Sequence, residues 1–185
     1  MQTPTRFEGF AYLLAFIASI PLANWMVVNV GTVCVPNGPC LVPVFAGLMA
    51  PSGVLVIGTA FVLRDLVQRR LGKAWTMGAI VVGAALSGIL APPALVVASA
   101  TAFALSELAD FAVYTPLQRR RLITAVLASS IVGLVIDSMV FLYLAFGSLQ
   151  FLAGQVVGKT WMVLLALPLI WLLRERDRRL GIQPA

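Results

Sequence analysis

The stretch "FALSELADFAV", Phe103 to Val113, sets two carboxylates, Glu107 and Asp110, in an otherwise almost wholly apolar run. Three residues apart, they project from one face of a helix, with Ser106 on the same stripe. Two more ionisable groups lie in equally apolar surroundings: Asp137 in "VGLVIDSMVFL" and Lys159 in "GQVVGKTWMVLL". Each would cost at least about 2.5 kcal/mol against lipid, so each is expected to turn toward a bundle interior or an aqueous cavity and find a partner. A carboxylate accepts paired N–H donors, and an ammonium or amide donates to a carbonyl. These three acids do not balance one lysine, so at least one acid must be protonated or matched by a ligand, a cation or other donors. An excess of acceptors points to binding; the alternative is an ion network that only fixes helix register.

The elements that position these groups follow from composition. The chain has 185 residues, 61% hydrophobic and 11% charged, with a mean hydropathy of +0.99. That balance belongs to a membrane protein. Residues 9–63 and 74–106 hold no charge, and each window can contain one or two spans of roughly 20 apolar residues. Apolar runs read against charges and breakers predict an all-α integral membrane protein, a compact bundle of six transmembrane helices forming one domain over 1–185. The spans are expected at about 8–30, 44–64, 75–91, 94–116, 122–147 and 151–173. Counted from the span ends at 1.5 Å per residue, Lys159 lies about 14 Å deep and Asp137 about 22 Å deep. Arg6, the apolar run after it and Pro21-Leu22-Ala23 imitate a secretory signal, but an uncleaved first helix is expected.

Net charge is +6, yet the positions of the bases matter more than their sum. Of the 13 basic residues all but Lys159 fall on one side of the predicted bundle: Arg6; Arg64, Arg69, Arg70 and Lys73; Arg119 to Arg121; and the arginines from Arg174 to Arg179. The positive-inside rule makes that side cytoplasmic, with both termini there and the loops at about 31–43, 91–94 and 147–151 outside. Anionic headgroups of the lipid bilayer account for the basic surface without nucleic acid. In the first outer loop, "CVPNGPC" places Pro36, Asn37, Gly38 and Pro39 in a turn. An oxidising compartment could close Cys34 and Cys40 into a disulfide; the spacing permits a bridge without demanding one. Two cysteines and no histidine do not make a zinc site, so no metal is expected.

Without histidine the commonest general base is missing. Phosphate-cradling loops, dinucleotide fingerprints and serine elbows are absent too. No cofactor is expected and the chain is read as not an enzyme; an intramembrane aspartyl enzyme built on Asp110 and Asp137 is the catalytic alternative. Gly78, Gly83 and Gly88 in span three, and Ser130 and Gly133 in span five, let helices approach closely. Pro21 and Pro168 are expected to kink their spans, and a kink near Asn24 would present that amide inward. A short echo, "TAFVLRDL" (Thr59 to Leu66) and "TAFALSEL" (Thr101 to Leu108), aligns Asp65 with Glu107.

Taken in order, several of these segments resemble the queuosine precursor transporters, or VUT group, six-helix proteins distantly like the substrate-binding subunits of vitamin importers. "LANWMV" is similar to that family's first-span Asn segment, and "LRDLVQRRLGK" to its Asp-Leu followed by Gly-Lys. "ASATAFALSELADFAVYTPLQRR" resembles the fourth-span pattern, "VIDSMVFLYLAF" the fifth-span Asp-Ser/Thr, and Lys159 with Pro168 the sixth span. Two positions depart: many members carry glutamine where Glu107 stands and glutamate where Arg69 stands. The resemblance implies uptake of a nucleobase substrate, 7-cyano-7-deazaguanine or 7-aminomethyl-7-deazaguanine, across the bacterial cytoplasmic (inner) membrane by a multi-pass transporter. Asn24, Glu107, Asp110, Asp137 and Lys159 would surround the base, with Trp25, Phe103, Phe111 and Phe141 as candidate stacking faces. A homo-oligomer and a separate ATPase module stay open as partners, as does the reading of a binding subunit of an ATP-driven vitamin-type importer. A non-transporting scaffold with a structural ion network is a further alternative.

Overall fold

The computed structural model describes residues 3–36 and 38–183, with side chains from Thr5 onward; Asn37, one of the residues expected in the outer turn, lies outside them. Six helices follow one another: α1 (Thr3–Asn29), α2 (Val54–Leu71), α3 (Lys73–Leu90), α4 (Val96–Leu117), α5 (Leu122–Phe146) and α6 (Leu152–Leu180). Three short strands, β1 (Val33–Cys34), β2 (Cys40–Phe45) and β3 (Leu48–Pro51), lie between α1 and α2 and form an antiparallel sheet in the order β1-β2-β3. Among the described residues five helices are long and apolar enough to cross a membrane: α1, α3, α4, α5 and α6. The chain is a multi-pass membrane protein.

The exception, α2, explains the architecture. It carries Arg64, Asp65, Arg69 and Arg70 and would be a poor neighbour for lipid. It packs instead against each of the other five helices, and every residue from Arg64 to Arg70 is buried. The apolar helices turn Leu14, Ile89, Val97 and Leu165 outward, each about 70% exposed or more. Polar inside and apolar outside is the pattern hydrocarbon imposes.

The second predicted span, 44–64, differs from what forms. Residues 40–45 and 48–51 are strands, because Val42 and Val44 alternate with Leu41 and Pro43 while Gly47, at φ 73°, turns Phe45 back onto Leu48. A short apolar run does not distinguish a strand from a buried helix by periodicity. The helix starts only at Val54 and continues through the charged residues to Leu71, where Gly72, at φ 86°, hands the chain directly to α3. Arg64, Arg69 and Arg70, expected at a headgroup rim, are therefore interior residues.

Missing side chains bring α2 and α6 together. A Cβ on Gly58 would stand 2.6 Å from the Lys159 carbonyl oxygen, and one on Gly154 would run into the Met49 carbonyl of β3. A Cβ on Gly133 would meet the Phe61 ring at 2.7 Å, which tightens the α2–α5 contact. The hairpin is held to α1 by Ser52, whose hydroxyl donates to the Met26 carbonyl (2.6 Å). Cys34 and Cys40 are joined by a disulfide across β1 and β2.

Candidate functional site

All six helices and β3 contribute to the wall of one cavity. It offers about 80 Å³ to the centres of water molecules, room for several waters at roughly 10–15 Å³ each. It reaches from Pro51, Pro92 and Leu95 at the hairpin end of the bundle to Phe61, Glu107 and Asp137 further along α2, α4 and α5. Much of the lining is apolar, which makes the few polar groups decisive.

Glu107 comes from the middle of α4. Its Oε2 accepts Nε of Arg64 (3.1 Å), while Oε1 accepts no hydrogen bond from any described residue. Asp137, from the middle of α5, has the same arrangement. Its Oδ2 is held by Nζ of Lys159 (2.5 Å), and Oδ1 accepts none among the described residues. Each carboxylate is therefore anchored from behind by one cation and keeps a second oxygen for a guest. Asn24 of α1 donates its Nδ2 to the Ile20 carbonyl (3.0 Å), one turn back, which leaves its side-chain oxygen uncommitted. Gln155 of α6 accepts Nζ of Lys159 at its Oε1 (2.7 Å), so its amide nitrogen is the group left for another partner. Phe61, Phe103 and Phe141 supply aromatic surface.

Of the residues singled out in the sequence, Asn24, Glu107, Asp137, Phe103 and Phe141 line this cavity. Lys159 sits behind the wall, wholly buried and donating to Asp137, Ser138 (2.8 Å) and Gln155. Asp110 is also behind it, fully buried and paired with Arg64. Trp25 is 56% exposed on the outer surface of α1, and Phe111 is half-buried away from the lining.

Arg64 is the central residue that the sequence reading put at the rim. Fully buried, it reaches Glu107, Asp65 (3.0 Å) and Asp110 through its guanidinium, and Gln68 (3.2 Å) one turn along α2. It also lies 5.7 Å from the Tyr114 ring centre, within cation–π reach. The available signal was the lack of any proline between Val54 and Gly72: a helix that enters the bundle at Val54 carries Arg64 inward. The two echoing segments "TAFVLRDL" and "TAFALSEL" meet where Arg64 joins Glu107.

A family model described as "Putative vitamin uptake transporter" matches residues 88–173. The match supports that family. It runs from the end of α3 into α6 and takes in Glu107, Asp110, Asp137 and Lys159, but neither Asn24 nor Arg64. No curated protein and no solved structure matches the chain. Over that stretch the chain is similar to vitamin-type uptake transporters.

Proposed function

We propose that this protein imports a 7-deazaguanine precursor of queuosine across the bacterial inner membrane, with both termini cytoplasmic and the hairpin end facing out. The carrying observation is the pair of half-anchored carboxylates, Glu107 and Asp137, on the wall of a cavity flanked by phenylalanine rings. A guanine-like edge presents two adjacent N–H donors, which one carboxylate accepts side by side. The Gln155 amide donates to the ring carbonyl, Asn24 accepts from a further N–H, and Phe103 or Phe141 covers the flat face. Arg64 and Lys159 orient the two carboxyls, each holding one oxygen by a hydrogen bond and leaving the other turned to the cavity.

Supporting this reading are the family match, the polar interior and the family resemblance of the segments quoted above. A different vitamin-sized heterocycle is the second reading, favoured by the family's own description. Binding of labelled 7-cyano-7-deazaguanine to purified protein tests both, with a panel of purines and vitamins as competitors. Saturable binding that 7-aminomethyl-7-deazaguanine displaces, and that Glu107→Gln and Asp137→Asn weaken, is expected. Binding untouched by both substitutions removes the cavity from the mechanism, and displacement by a vitamin alone favours the second reading.

A further inference from the structure

Directly behind Glu107 the bundle holds a second group of polar residues that cargo binding does not use. Asp65 and Asp110 are both wholly buried and both pair with the single Nη2 of Arg64. Asp65 Oδ2 also accepts from Ser129 Oγ (3.1 Å), and Asp110 meets Arg64, Ser129 and the Asp65 carboxyl itself, so the two acids are in direct hydrogen-bonding reach. One turn along α4 from Asp110, the Tyr114 hydroxyl is fully buried beside Asp65 with no hydrogen-bond partner among the described residues, and Ser130 Oγ on α5 is likewise buried and without one among them.

The charges do not close. Arg64 and Lys159 face Asp65, Glu107, Asp110 and Asp137, and Lys159 is already committed to Asp137, Ser138 and Gln155. Ionised acids would leave two uncompensated negative charges in the bundle, each costing several kcal/mol. A metal cage does not answer them: no cluster able to hold a metal ion exists among the described residues, and a guanidinium already occupies the centre of the group. A proton needs no cage. Two carboxyls that meet at one donor nitrogen can share it.

We propose that the Asp65–Asp110 pair is a proton-binding site coupled through Arg64 to cargo at Glu107, so that proton and cargo travel together. The inference rests on the transport reading above. The proton comes from water on one side, forms an O–H on one carboxyl of the pair, and returns to water on the other side. With the proton in place the pair carries one negative charge rather than two. Arg64 is then free to neutralise Glu107, which keeps it charged for the cargo's N–H donors. Without the proton, the doubly charged pair draws Arg64 away and Glu107 loses its counter-ion. By reciprocity, bound cargo raises proton affinity by the factor with which the proton raises cargo affinity, about 5–150-fold for typical couplings.

The ionisable groups facing the pair are Arg64 of α2 and Glu107 and Tyr114 of α4, with Arg69 of α2 beyond Tyr114 and Asp137 of α5 beyond Glu107. Lys159 of α6 stands behind Asp137, and the charged residues of α1 and α3, Arg6, Glu8 and Lys73, lie at the terminal end. From Arg64 a line of hydrogen bonds runs along α2 toward that end, with Gln68 receiving from Arg64 and donating to Thr115 Oγ1 (2.8 Å).

Two measurements test the proposal separately from the cargo's identity. Infrared difference spectra of purified protein across a pH series should show a protonated carboxylic acid that is lost in both Asp65→Asn and Asp110→Asn. In proteoliposomes, an inward proton gradient should accelerate uptake of labelled 7-cyano-7-deazaguanine by roughly tenfold. Asp110→Asn should abolish the acceleration while retaining cargo binding and wild-type thermal stability. Absence of the carboxylic acid signal, a sodium gradient replacing the proton gradient, or an Asp110→Asn protein that still responds to protons would overturn it. Should the base not bind at all, the cargo assignment fails, and the infrared result alone decides the proton site.

Discussion

Two buried ion networks lie one helical turn or more apart along α2, and they carry opposite surpluses. In the middle of the bundle Arg64 serves three carboxylates, Asp65, Glu107 and Asp110. At the terminal end the ratio is reversed: Asp177 receives Arg69 (2.8 and 3.0 Å) and Arg70 (2.8 and 3.0 Å), while Glu8 receives Arg70 (3.1 Å) and Arg176 (2.7 Å). Forked guanidiniums meeting one carboxylate give directional, closed pairing. Its spare positive charge resides on Arg176, 41% exposed, where water and headgroups can answer it. The central surplus has no such outlet. The terminal network is therefore a clasp tying the ends of α1, α2 and α6 together, and the central one is a site awaiting positive charge.

Substitutions that delete one member from each network sharpen this contrast. The largest effect is expected for Arg64→Met, which strands three acids: a loss of at least about 3–5 kcal/mol, read as failure to recover folded protein or a collapsed melting temperature in detergent. Arg64→Lys should recover part of it, since a lysine keeps the charge but not the fork. Next comes Asp177→Asn, which leaves Arg69 and Arg70 facing one another. About 3 kcal/mol of destabilisation is expected by thermal or denaturant unfolding, with cargo binding at the cavity unchanged. The central counterpart, Asp110→Asn, also removes one acid yet should stay within about 1 kcal/mol of wild type or rise above it, because it relieves a surplus. Equal losses for Asp177→Asn and Asp110→Asn would break the distinction between clasp and site. Least of all, Glu175→Gln should leave stability unchanged, since its partners Arg178 and Arg179 are about three-quarters exposed and such pairs contribute little.

How far these networks were legible in the sequence differs between them. Helix number and the inward turn of Glu107, Asp110, Asp137 and Lys159 follow from one rule, the cost of charge in hydrocarbon, which acts locally on any apolar window. Lys159 and Asp137, 22 residues apart, are legible as isolated charges though not as each other's partner. Arg64 was not legible as a central residue, because hydropathy alone treats a charge after an apolar run as a boundary. Only the packing of α2 among five neighbours, a tertiary fact, makes an interior helix with four charges tolerable. The hairpin at Cys40–Pro51 was hidden for a related reason: apolar strands and apolar helices share one composition, and the turn at Gly47 settles the matter only once its partner strand is known. Likewise, Trp25 is as suited to stacking as Phe103 by chemistry, but side-chain identity does not tell which face of α1 meets the cavity.

The near-contact of backbones at Gly58 and Gly154 constrains how cargo could ever get through. With no side chains to slide over, α2, the hairpin and α6 are interlocked like teeth of one gear and should shift as a single slab, carrying Lys159 with them. The give required to open and reseal the chamber then falls to the seams that α1, α3 and α4 make with that slab, so crosslinks across α2 and α6 should leave uptake running while crosslinks across α1 and α2 should stall it.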